Sequence, residues 1–235
     1  MGGTVIGLAV VPALVGALAS WVYGREQPGP LLLWSATLQE VALIGLAIRL
    51  VQARLHATPD SLGGWLGVDG PLWRWLLYGV VAGFGLLLAE TLASALTFIV
   101  VAAVRGGAVA ARVLSEASDP VVQMVSMVRT PEQRYLLAVV LVGIGPLAEE
   151  FWFRGVVYPA CRARWGPGWG NMVVSLLFST LHLNAAAWLA LFAVGFILAA
   201  VYERTRSLWP GVVAHATLNA AALFGVLSGL GGMDR

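Results

Sequence analysis

Four residues that can do hydrolytic chemistry lie inside long hydrophobic stretches of this sequence. A carboxylate can take a proton from water, an imidazole can hold or share that proton, and an amide can donate a hydrogen bond to an oxyanion. Charged and polar groups cost free energy inside a bilayer, so each of them needs a reason to be there. The four residues are Glu149, His182, His215 and Asn219.

Helical spacing groups further residues with these four. Residues four apart share one face of an α-helix, which predicts a salt bridge between Glu150 and Arg154 and leaves Glu149, one step around the helix, free to point into a cavity. The alternative is a buried charge cluster or interhelical hydrogen bonds that only hold helices together. The other pairs with this spacing are Phe178 with His182 and His215 with Asn219.

The composition indicates that lipid covers most of the protein surface. The 235 residues are 59% hydrophobic and only 11% charged, whereas soluble domains are about 25% charged. The apolar content excludes a disordered chain, and a single cysteine, Cys161, excludes a disulfide scaffold. The net charge of +2 comes from 14 arginines and no lysine. These flank apolar runs, which is typical of membrane proteins and not of nucleic-acid binding.

Hydrophobic runs predict an all-α, polytopic transmembrane helical bundle of about seven spans, with six to eight as the range. Eight of the ten tryptophans fall near the proposed span ends, as an aromatic belt requires. A single integral membrane domain is expected, with an amino-terminal half at 1–134 and a catalytic core at 135–230. The spans are predicted at residues 4–23, 31–51, 75–104, 135–162, 169–184, 187–203 and 209–230.

Two polar segments separate the predicted spans. Residues 52–74 are interpreted as a loop with an interfacial turn around 62–66. Residues 105–134 are interpreted as a long polar loop in which 121–128 form a short amphipathic helix. Pro146 follows two glycines and removes a backbone donor, which predicts a kink beside Glu149.

Three motifs in the carboxy-terminal part resemble those of the CPBP family, the CAAX prenyl proteases and bacteriocin-processing or immunity proteins also called Abi. EEFWFR at 149–154 resembles EExxxR, FSTLH at 178–182 resembles FxxxH, and HATLN at 215–219 resembles HxxxN. The three occur in this order, each within a hydrophobic span. The resemblance extends from about residue 136 to residue 227.

The resemblance implies an intramembrane endopeptidase that cleaves near the carboxy terminus of its substrate. It implies that Glu149 and His182 activate water and that His215 and Asn219 form the oxyanion site. Glu150, Arg154 and Phe178 would support them. No metal cofactor is expected, and the alternative is a zinc site formed by Glu149, His182 and His215. The expected partners are a peptide or lipidated peptide substrate and the bilayer.

Other functions remain open at this stage. A peptide-binding or immunity protein could use the same polar cluster without cutting. A transporter could use the intramembrane carboxylates Glu40 and Glu90 as proton relays, whereas in a protease they would line the cavity or pair with an arginine. Ser179 lies three residues before His182 and is a minor alternative nucleophile. Cys161 is interpreted as a palmitoylation site or a packing residue. The expected location is the plasma (inner) membrane. No nucleic-acid partner is expected, and the sequence leaves the oligomeric state open.

Overall fold

All the regular structure described for this chain is helical. The computed structural model describes residues 29–55, 67 and 71–230. The predicted first span at 4–23 and the interfacial turn at 62–66 lie outside these residues. The α-helices are α1 Gly29–Leu55, α2 Leu72–Arg105, α3 Gly107–Met127, α4 Pro131–Ala138, α5 Gly145–Trp152, α6 Tyr158–Leu181, α7 Trp188–Thr205 and α8 Trp209–Leu230, and two π-helical segments are π1 Val139–Ile144 and π2 Phe153–Val157.

Four helical segments in the described part are long and apolar enough to cross a membrane. They are Trp73–Arg105, Pro131–Leu181, Trp188–Thr205 and Trp209–Gly229. The first is lined with exposed apolar side chains, and only 6% of its most apolar window is buried inside the protein. The chain is therefore an integral membrane protein. The predicted count of seven spans is not confirmed.

The 51-residue segment Pro131–Leu181 folds back on itself. Gly166 has φ 78° and ψ 173°, a backbone conformation that glycine adopts without penalty. A Cβ at Gly170 would lie 2.8 Å from the backbone nitrogen of Arg162, whereas residues eight apart in a continuous helix are about 12 Å apart. This break lies between the predicted spans at 135–162 and 169–184, which are the two arms of the fold-back.

The predicted polar loop at 105–134 contains a helix much longer than the expected short one. Helix α3 runs from Gly107 to Met127, and Val125 and Val128 pack with Leu137 and Leu223 in a small apolar cluster. A capping box at Thr130 then starts α4: its hydroxyl accepts from the Gln133 backbone, and the Gln133 side chain accepts from the Thr130 backbone.

Each π segment lies directly before a proline that is the second residue of the next α-helix. Gly145 donates its N–H to the Val140 carbonyl, and Tyr158 donates to the Phe153 carbonyl. Both bonds span five residues, and each is followed by a residue without an N–H, Pro146 or Pro159. The kink predicted at Pro146 therefore takes the form of π-helical turns on both sides of α5, the helix that carries Glu149.

Helix α2 approaches α8 closely through two glycines spaced four apart. A Cβ at Gly79 would lie 2.4 Å from Val213 Cβ, and a Cβ at Gly83 would lie 2.7 Å from Thr217 Cβ. Small residues at this spacing let transmembrane helices pack backbone to backbone. Because α8 also carries His215 and Asn219, this contact helps to place two of the predicted site residues.

Substituting Gly79 or Gly83 with alanine should push α8 away from α2. We expect a loss of about 1–3 kcal/mol of unfolding free energy, the usual cost of overpacking. Gly85→Ala is the matched control on the same helix, since nothing lies within 4 Å of its Cβ position. Unfolding in detergent monitored by tryptophan fluorescence measures both. Equal stability of all three variants would contradict this packing.

Candidate active site

Helix α5 presents two adjacent carboxylates to different surroundings. The side chain of Glu150 is 1% exposed, and that of Glu149 is 23% exposed. The helix packs against α1 on one side and against α8 on another. The predicted division, with Glu150 paired and Glu149 directed elsewhere, is what the structure contains.

The Glu150–Arg154 pair is fully buried and joins three helical elements. Arg154 Nη1 donates to Glu150 Oε1 at 2.9 Å, and Arg154 Nη2 donates to the Gly195 carbonyl on α7 at 2.9 Å. Glu150 Oε1 also lies 3.3 Å from His215 Nδ1 on α8. One ion pair therefore fixes the positions of α5, α7 and α8 relative to one another.

Glu149 Oε2 faces two imidazole nitrogens, one from His182 directly after the end of α6 and one from His215 on α8. It lies 3.8 Å from His182 Nε2 and 4.0 Å from His215 Nε2. This oxygen is buried and has no hydrogen-bond partner. The side chain of His182 is 30% exposed and that of His215 only 5%, so the open side of the group is at Glu149 and His182.

Hydrogen bonds on the far side of each ring define which nitrogen faces Glu149. His182 Nδ1 lies 2.7 Å from the Phe178 carbonyl, which can only accept, so this nitrogen carries the proton. His215 Nδ1 faces the Glu150 carboxylate in the same way. A neutral ring protonated on Nδ1 has a lone pair on Nε2. The Nε2 atom of His182 can therefore accept a hydrogen bond from a donor that also binds Glu149.

Phe178 packs at the centre of this group. Its ring centroid lies 4.5 Å from that of His182 and 6.0 Å from that of His215. The Arg154 guanidinium lies 5.1 Å from the Phe178 ring centroid, a cation–π distance. A Cβ at Gly195 would lie 3.2 Å from Phe178 Cδ1, so that glycine lets α7 approach this ring. Phe178 thus holds both imidazoles and the ion pair in place.

Asn219 binds the backbone of π1 instead of approaching Glu149. Its Nδ2 donates to the Leu141 carbonyl at 2.9 Å. The ordinary α-helical donor to that carbonyl, the Gly145 N–H, bonds to Val140, and the π-helical donor would come from Pro146, which has none. Asn219 therefore satisfies the carbonyl that Pro146 leaves without a partner, and its second amide hydrogen has no role in this bond.

The side chains of the possible zinc site, Glu149, His182 and His215, are farther apart than zinc ligands usually are. Zinc ligands lie about 2.0–2.2 Å from the metal, which places them about 3.3–3.5 Å from one another in a tetrahedron. Glu149 Oε2 is farther than that from both imidazole nitrogens. Within residues 29–55, 67 and 71–230, no group of three or more His, Cys, Asp or Glu side chains is arranged to hold a metal ion.

Comparison with known proteins gives a match over the part of the chain that contains this group. Residues 131–221 match the family model described as Rce1-like, type II CAAX prenyl endopeptidase. This part of the chain is therefore similar to the type II CAAX prenyl endopeptidase family. It is also 29% identical over 84 residues to a Bacillus subtilis protein named "Putative membrane peptidase YdiL", a match that covers 36% of this chain and 34% of that protein. No solved structure matches the chain.

The structure brings six of the seven predicted site residues into one connected group, whereas Asn219 binds the backbone of π1. Sequence reasoning missed the glycines that make room for this group. A Cβ at Gly211 would lie 2.8 Å from Glu150 Oε2, so a larger residue there would displace the buried carboxylate. Ser179, the alternative nucleophile, is buried and donates to the Leu176 carbonyl. Cys161 is buried in the core as a packing residue.

Removing Arg154 should destabilise the protein far more than removing an exposed arginine with the same spacing. Arg154→Met leaves Glu150 buried without its cation, at a cost of about 3–5 kcal/mol. Arg112 makes an i,i+4 pair with Glu116 at the same 2.9 Å, but its side chain is 81% exposed, so Arg112→Met should have little effect. Thermal unfolding in detergent compares them. A similar loss in both would contradict a structural role for the buried pair.

The Asn219–Leu141 bond can be tested with a double-mutant cycle. Asn219→Ala should cost about 1–2 kcal/mol by leaving a carbonyl without a donor. In a Pro146→Ala background, residue 146 regains an N–H that can reach Leu141, so the same substitution should cost less. A Pro159→Ala background is the control, in which the two effects should add. Additivity in both backgrounds would contradict the assignment.

Proposed function

We propose that this protein is an intramembrane endopeptidase that hydrolyses a peptide bond near the carboxy terminus of a membrane-associated substrate, with water activated by Glu149. The observation that carries the proposal is the convergence of Glu149 Oε2, which is buried and unpartnered, with the Nε2 atoms of His182 and His215. The match of residues 131–221 to a prenyl endopeptidase family supports it.

In the proposed reaction, Glu149 takes one proton from a water molecule. The Nε2 atom of His182 accepts a hydrogen bond from the second O–H of the water and so orients the water oxygen toward the substrate carbonyl carbon. Attack forms a C–O bond and a tetrahedral oxyanion. The C–N bond then breaks as the proton held by Glu149 passes to the leaving nitrogen. The products are a carboxylic acid and an amine.

The oxyanion would be stabilised by His215 and Asn219. When both ring nitrogens of His215 are protonated, Nδ1 donates to Glu150 and Nε2 can donate to the oxyanion. Asn219 has a second amide hydrogen beyond the one that binds Leu141. Donors that are already oriented by other bonds lose little entropy in the transition state, which makes such stabilisation effective in a low-dielectric site.

The proposed mechanism needs no metal ion. The distances from Glu149 to the two imidazoles suit a bridging water better than direct zinc ligation. The substrate class to test first is a prenylated CAAX-type peptide, because the matching family model carries that description. The proposed site of action is the plasma (inner) membrane.

Glu149→Gln should abolish cleavage while leaving the fold intact, since it keeps the side-chain shape and removes the base. We expect a loss of about 10²–10⁴-fold in kcat, the usual contribution of a general base. Glu116→Gln is the matched control, because Glu116 is partly exposed and pairs only with Arg112. Purified variants in detergent would be incubated with prenylated and unprenylated carboxy-terminal peptides, and mass spectrometry would detect new ends.

The outcomes separate the possible functions. Cleavage by wild type and by the Glu116 control, but not by the Glu149 variant, supports the proposal, and persistence with a strong chelator supports the metal-free mechanism. Equal cleavage by wild type and Glu149→Gln would overturn Glu149 as the base. Peptide binding without cleavage by folded wild-type protein would favour the peptide-binding or immunity function.

A further inference from the structure

A second carboxylic acid with a buried oxygen lies on the helix that packs against α5, and it comes from outside the region that matches the protease family. Glu40 is on α1, which packs against α5 and π1. It is close enough to Glu149 for the charges of the two groups to act on each other. Residues 131–221 carry the family match, so nothing in that match assigns a role to α1.

Both carboxyl groups have an oxygen that is buried and lacks a hydrogen-bond partner. These atoms are Glu40 Oε2 and Glu149 Oε2. Buried polar atoms are almost always hydrogen-bonded, because desolvating them without a partner costs free energy. Two neighbouring buried carboxylates also repel each other strongly where the dielectric constant is low. A hydrogen-bond donor shared by the two carboxyl groups would remove both costs.

The nearby cation does not supply that donor. Arg154 donates from Nη1 to Glu150 and from Nη2 to the Gly195 carbonyl, and its Nε has no hydrogen-bond partner. Among the described residues no arginine or histidine forms an ion pair with Glu40. The arginine partner that the sequence suggested for Glu40 is thus not found there. A hydrogen on one of the two carboxyl groups removes the repulsion and supplies a bond to the other.

We propose that Glu40 is a positioning residue of the active site that, as a carboxylic acid, donates a hydrogen bond to the Glu149 carboxylate. This bond fixes the Glu149 side chain so that its Oε2 faces the two imidazoles. The inference rests on the proposed function, because the base that it positions is Glu149. In this proposal, residues of α1 and of the family-matched region together form the active site.

The kinetic test compares two substitutions at Glu40 with the same two at Glu90. Glu40→Leu removes the donor, so kcat should fall about 10–100-fold with KM changed less than about two-fold. Glu40→Gln keeps an N–H donor of similar shape and should restore most of the kcat. Glu90 is a partly buried carboxyl on α2 with no charge interaction with Glu149, so both Glu90 variants should behave as wild type.

Two kinetic results would overturn the inference. One is that Glu40→Gln loses as much kcat as Glu40→Leu, which would mean that the hydrogen bond is not what matters. The other is that Glu90→Leu lowers kcat as much as Glu40→Leu. That result would mean that removing any carboxyl group from these helices lowers kcat.

A stability cycle tests the same contact without using activity. Glu40→Leu and Glu149→Leu should shift the thermal unfolding midpoint non-additively, because the two groups interact, whereas Glu90→Leu and Glu149→Leu should add. Additivity of the Glu40 pair would overturn the inference. If wild type cleaves no peptide but the Glu40 pair is coupled, only the proposed function fails. If cleavage needs Glu149 and Glu40→Leu is fully active, only this inference fails.

Discussion

The active-site geometry depends on a carboxylate and a guanidinium that are buried together inside the membrane-spanning part of the protein. Glu150 and Arg154 each have a second partner, His215 Nδ1 and the Gly195 carbonyl. An isolated charge at this depth would be prohibitively costly, whereas a charge pair that also contacts other helices can persist and fix the positions of those helices. Glu149 is next in the chain, so its position follows from this pair.

The prolines explain why the helix that carries the pair is not a regular one. Pro146 and Pro159 each lack the N–H that an α-helix needs, and a π-helical segment precedes each of them. Asn219 on α8 binds the Leu141 carbonyl that Pro146 leaves without a donor. The irregular backbone before Pro146 therefore gains a hydrogen bond that joins π1 to α8. The same residue that the family resemblance assigns to the oxyanion also stabilises the local backbone beside the base.

The sequence was most informative where the signal is local. Hydrophobic length predicted the span at 209–230, which matches α8 Trp209–Leu230, and helical spacing predicted the Glu150–Arg154 pair. Helix α3 was predicted too short because its polar residues interrupt the apolar pattern, although the Thr130 capping box marks the start of the next helix. The packing of α1, which carries Glu40, against α5 and the close approaches at Gly195 and Gly211 depend on helix packing, which no local pattern encodes.

The orientation of the imidazoles is the central claim of this account, and nitrogen-15 NMR of histidine-labelled protein tests it most directly. The chain has only three histidines, so substitution of His182 and His215 in turn assigns their signals. The account predicts a proton on Nδ1 of both rings, donated to the Phe178 carbonyl by His182 and to the Glu150 carboxylate by His215. A His182 ring protonated only on Nε2 would contradict it, because the nitrogen facing Glu149 could then no longer accept a hydrogen from the attacking water.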